Sequence, residues 1–158
     1  MTRISSYLVL AAVFQSVCSA DITELPREDR IVLEDSSRFH ELHSSRDLPS
    51  AIIAICAEDG KLADPGQNWN ATDSITDPSL PAKRLIWGAV GGEYYVLHYE
   101  RGGIAHTYHI LVATLAKSDS KPKTVWRAIG GPFKNYAAFV DGLRSGKLDD
   151  RLGKSKFW

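Results

Sequence analysis

Four runs rich in β-branched and aromatic residues follow one another between residues 84 and 129: Arg84–Val90, Glu93–Arg101, Ile104–Ala116 and Thr124–Ile129. Gly91-Gly92 and Gly102-Gly103 separate the first three at two-residue loop length, which is hairpin chemistry. The polar, Lys-rich segment 117–123 makes the third turn. Hairpins joined in sequence order build an antiparallel meander, because parallel pairing would need crossover connections of a dozen residues or more. The pattern therefore predicts an α+β domain on a four-stranded antiparallel meander, with a fifth strand as the variant.

Two helices are expected on that sheet. Phe133, Tyr136, Ala137, Val140 and Leu143 recur at the spacing of an amphipathic stripe, predicting a helix over 132–145 with Pro132 in its first turn. Leu48, Ile52, Ile55 and Cys56 recur at helical spacing behind Asp47 as a cap, predicting an N-terminal helix over 48–58. It should lie on the same sheet face as the C-terminal helix, or at an edge. Residues 61–82 read as a long connection, punctuated by Asp64-Pro65-Gly66, Asp77-Pro78 and Leu80-Pro81.

The first twenty residues have the pattern of a cleaved secretory signal. Arg3 is followed by the apolar run Tyr7–Phe14, and Ser19 lies between Cys18 and Ala20, the small residues three and one before Asp21. The apolar run is well short of the ~20 residues that span a bilayer. A lipidated Cys18 fits less well, because Val17 rather than a small residue precedes it. The expected organisation is a signal peptide over 1–20, a polar N-terminal arm over 21–47 and one α+β domain over 48–158. The destination is the periplasm or the medium, with no membrane attachment after cleavage.

Losing Arg3 takes the basic count from 19 to 18 against 19 acidic residues, a formal charge of −1. A nearly neutral chain offers no electrostatic case for nucleic acid. Cys56 is then the one cysteine left, so an intramolecular disulfide is excluded. With 44 % hydrophobic residues, the chain can build a core without staples.

The chemistry-bearing residues cluster around Gly102-Gly103. Alternation places His98 and Glu100 on one strand face. With a two-residue turn, residue 98 faces 107 and residue 100 faces 105, so His98, Glu100 and His109 share a face. With a three-residue turn over 101–103, His98 sits beside His106. Either register would let imidazoles and a carboxylate converge for acid–base work (His98, Glu100, His109) or metal ligation (His98, His106, His109). The chain has no H-E-x-x-H or C-x-x-C spacing, and no motif demands a cofactor.

Other candidates are weaker. His40-Glu41-Leu42-His43 would present two imidazoles one turn apart on a short helix. Cys56 lies on an apolar stripe, the ordinary place of a buried thiol. Gly130-Gly131-Pro132 reads as a strand-to-helix turn rather than a phosphate loop. Asn70-Ala71-Thr72 matches a glycosylation sequon.

No catalytic signature stands out, so the favoured reading is a small exported binding protein, of inhibitor or immunity type, with a protein partner outside the cytoplasm. Tyr94, Tyr99, Glu100 and Arg101 are the expected partner-binding residues, with Trp87 as an aromatic neighbour. The alternatives are a small hydrolase using the histidine cluster, and a carrier holding a small ligand between helix and sheet. An edge strand could pair with a second copy, although nothing in the sequence demands it.

Overall fold

The computed structural model describes residues 24–148, apart from positions 58, 76, 120 and 147. The predicted signal and the end of the tail lie outside the described residues.

A five-stranded antiparallel sheet runs in the order β1 (His40–Leu42), β2 (Lys83–Gly91), β3 (Tyr94–Arg101), β4 (Thr107–Thr114), β5 (Lys123–Ile129). The meander is as expected, and the count is five rather than four. The added strand is β1, three residues paired with β2 through His40–Val90, Glu41–Ala89 and Leu42–Gly88. His40-Glu41-Leu42-His43 is therefore extended, not helical. Its alternation turns Leu42 toward a core while the Glu41 carboxylate accepts the Tyr136 N–H at 2.9 Å.

Three helices flank the sheet: α1 (Arg27–Glu34), α2 (Ser50–Cys56) and α3 (Tyr136–Arg144). Their placement differs from the expectation that α2 shares a face with α3 or lies at an edge. Leu25 and Leu33, with Tyr136, Phe139, Val140 and Leu143 of α3, pack on Trp87, Ala89, Val96, Ile110, Val112 and Trp126. Leu48, Ile52 and Cys56 pack on Leu85, Leu97, Tyr99, Leu111 and Ala113 instead. The sheet is thus buried on both faces, which is why β3 and β4 carry near-continuous apolar runs. An irregularity at Ile86 helps: Leu85 pairs with Tyr99 while Trp87 pairs with His98, so two residues at period-two spacing serve opposite cores.

The helix boundaries shift for local reasons. Pro49 sits at the N-cap of α2, and Asp47 belongs to a preceding 3-10 turn. Asn135 caps α3, its side-chain oxygen accepting the Ala138 N–H at 2.9 Å, so Pro132 stays outside the helix. The buried stripe of α3 uses Phe139, while Ala137 is exposed.

Segment 24–47 holds α1 and β1. Tyr94 ties α1 to the sheet, its hydroxyl donating to Asp29 Oδ1 at 2.6 Å. That bond to a carboxylate pushes the phenol up to about 12. Arg30 and Arg144 add bonds to the Leu143 and Glu34 carbonyls.

Candidate functional site

The chemistry-bearing residues gather at one end of the sheet, around the β3–β4 connection. Arg101 pairs with Thr107, so the connection is five residues, 102–106, and neither predicted register holds. His98 lies opposite Ile110, Glu100 opposite Tyr108 and Tyr99 opposite His109. His98 and Glu100 therefore share one face, and His109 points to the other. The cause lies in Gly102, which is no turn glycine. Its N–H donates to the Ala82 carbonyl at 3.1 Å, and a Cβ there would run into the Asn70 carbonyl oxygen. Residue 102 continues along the 70–82 connection, and the chain reverses later.

On the α3 side, Glu100 is buried and fully engaged. Arg84 Nε donates to Oε1 at 2.5 Å, and His106 Nε2 lies 2.6 Å from Oε2. The Arg84 guanidinium sits 5.1 Å from the Trp69 ring, and Trp69 meets the His106 ring edge-on at 5.4 Å. This network joins β2, β3, the 102–106 loop and the 61–82 connection. A carboxylate–imidazole pair is competent acid–base chemistry in principle. Yet the nearby cleft, about 320 Å³ and lined by Asn70, Thr72, Gly102 and Gly103, does not include His106.

His98 is a structural histidine. The Phe133 N–H can only donate, so Nε2 accepts it at 3.1 Å. Nδ1 then carries the proton, donated to the His109 carbonyl at 3.0 Å. Both nitrogens are committed, and burial pulls its pKa below the ordinary imidazole range. Gly131, at φ +134°, is required here, since a Cβ would press into the His98 ring.

On the α2 side, Tyr99 and His109 stack with ring centroids 5.2 Å apart. The Lys83 ammonium lies 5.7 Å from the Tyr99 ring centroid. Burial pulls His109 down to about 4, and Arg101, Lys83 and Arg127 pull in the same direction. Cys56 is buried, and desolvation pushes its thiol up to about 12, which makes it inert as a nucleophile.

The expected residues therefore divide. His98, His106 and His109 do not converge on one point. Among the described residues, no group of three or more His, Cys, Asp or Glu is placed to hold a metal ion. Of the expected partner-binding set, Tyr99 and Glu100 are buried, Tyr94 is tied to Asp29, and Arg101 is exposed. Asn70 is buried, and its amide donates to the Asp77 and Leu80 carbonyls at 2.9 and 3.0 Å, which withdraws it from glycosylation in the folded chain. Sequence reasoning missed Ile104, 95 % exposed, and Ile75, 64 % exposed. The available signal was an isoleucine directly after Gly102-Gly103.

No protein-family model matches the chain, and no curated protein or solved structure matches it either. Among the described residues, no helix is long and apolar enough to cross a membrane.

Proposed function

We propose that this chain is a small exported binding protein, of inhibitor or immunity type, that meets a protein partner through the 102–106 loop. The observation that carries the reading is Ile104, 95 % exposed on a loop pinned from beneath. Gly102 is bonded to Ala82, Gly103 bridges to Thr72, and His106 is held by Glu100. Rigid presentation lowers the ordering cost of association. Ile75 lies on the segment that the Thr72–Gly103 bridge joins to this loop, and Arg101 stands at its base. A bulky apolar tip beside arginine matches the residue chemistry of interface anchors. The α3-side core supports binding over carriage, since Trp87, Trp126 and Phe139 fill it.

The test is capture from an envelope extract on immobilised chain 21–158, run in parallel with Ile104→Asp. A stoichiometric partner retained by the native chain and lost by the variant, at unchanged circular dichroism, is expected. A partner held equally by both, or by neither, overturns the reading.

A further inference from the structure

The cleft of about 320 Å³ beside the β3–β4 connection holds none of the Glu100 network. Gly102 and Gly103 of the proposed contact loop form one wall. Residues of the 70–82 connection, and Asp59 just after α2, form the rest. Ile75, Pro78 and Leu80 make part of the lining apolar. Its polar side chains are Asp59, Asn70, Thr72 and Asp73. We infer, resting on the binding reading above, that this cleft receives a basic side chain of the protein partner, an arginine or a lysine.

Charge supports this. Among the described residues, neither Asp59 nor Asp73 makes an ion pair. Asp59 Oδ1 accepts the Lys61 backbone N–H at 3.1 Å, a neutral donor that leaves the carboxylate charge in place. The Lys61 ammonium turns instead to the Ser79 carbonyl, 3.5 Å away. Asn70 adds a second, independent sign. It is nine-tenths buried, and its NH2 group is fixed by two carbonyls, those of Asp77 and Leu80. That leaves Oδ1 as an acceptor, and among the described residues it accepts no hydrogen bond. It is not sealed from solvent either, since the buried side-chain atom without a partner is Trp126 Nε1. Thr72 spends its hydroxyl proton on the Ser74 carbonyl at 3.3 Å, which leaves its oxygen as a further acceptor. Two carboxylates and a bare amide oxygen call for a cation rich in donors, and Arg and Lys side chains carry donors alone. Both also lay a methylene stem along apolar surface while the charged head keeps polar partners, which matches this mixed lining. An apolar side chain would cover the same acceptors without giving them a donor.

The experiment is an amide-resolved NMR titration of chain 21–158 with capped tripeptides of the form acetyl-glycyl-X-glycine amide, at ionic strength held constant with NaCl. X is arginine, lysine or citrulline, and calcium chloride is titrated separately. Saturable shifts centred on Asp59, Asn70, Asp73, Ile75 and Gly103 are expected with at least one basic peptide. None is expected with the citrulline peptide, which has the shape of arginine without its charge. Asp73→Asn should weaken binding about fivefold, the upper end for one exposed ion pair. Asp59→Asn combined with Asp73→Asn should abolish it. Both positions are exposed, and asparagine at 59 keeps an acceptor for the Lys61 N–H, so these variants should keep the fold. Ile104→Asp should retain peptide binding, so the cleft and the loop contact fail separately. Shifts that never saturate, equal binding of the citrulline peptide, or unchanged affinity in the double variant would overturn the assignment. Tighter binding of calcium than of either basic peptide at the same amides would overturn it in favour of a metal ion.

Discussion

The two faces at the loop end of the sheet are built from adjacent residues and handle charge differently. On one face, Glu100 is buried between Arg84 and His106, a carboxylate satisfied on both oxygens. On the other, Tyr99 and His109 lie among Lys83, Arg101 and Arg127. One step along β3 separates them. Strand alternation lets a chain of nearly zero net charge keep an acid-containing tie and a cationic patch about one sheet thickness apart. The tie joins the 102–106 loop to β2 and β3. Net charge hides tie and patch alike.

Breaking the tie should have the largest effect. Glu100→Ala removes the partner of half-buried Arg84 and the anchor of His106. A loss of about 3 kcal/mol is expected from urea denaturation, the low end for a broken buried pair because Arg84 keeps the Trp69 ring. Loop 102–106 amides should exchange faster in that variant. His98→Ala comes next. It leaves the Phe133 N–H without its acceptor and the His109 carbonyl without its donor. About 2–3 kcal/mol should be lost, with α3 amides deprotected first.

Acid acts on the other face. His109 has a folded pKa near 4 against an unfolded value near 6.5, so the neutral form is favoured in the fold. Its contribution is complete above pH 6.5 and is lost as pH falls from 6.5 through about 4. His98 is shifted in the same direction and adds to the same loss. With His109 partly open to solvent, its share is on the order of 1–2 kcal/mol. The difference in denaturation midpoint between pH 7.5 and 4.5 should therefore shrink in His109→Gln. Acidic groups common to both proteins cancel in that subtraction. The smallest stability effect belongs to Ile104→Asp, expected within ~0.5 kcal/mol of native because the side chain is exposed.

Much of the fold was legible in residues 84–129, where β-branched and aromatic runs broken by glycine pairs mark the strands of the meander. Its fifth strand was not, because His40-Glu41-Leu42 is three residues long and mostly polar, and pairing with β2 overrides its weak local preference. Two-sided burial was written in Tyr94–Tyr99 and Ile110–Ala113, which do not alternate. The candidate site was legible in residue type but not in geometry. Gly102-Gly103 looks like a two-residue turn, yet Gly102 is needed for close passage of Asn70 and Ala71, contacts thirty residues away in sequence. That moved the register and sent His109 to the face opposite His98. The irregularity at Ile86, which lets Leu85 and Trp87 serve different cores, likewise has no local signature.

The most direct test of the two-face account is a histidine-resolved NMR titration of chain 21–158. His109 is expected to stay neutral until the pH approaches about 4, and His98 to be neutral in the Nδ1–H form with its midpoint below the ordinary imidazole range. His109 titrating near 6.5, or His98 protonated on Nε2 in its neutral form, would contradict it.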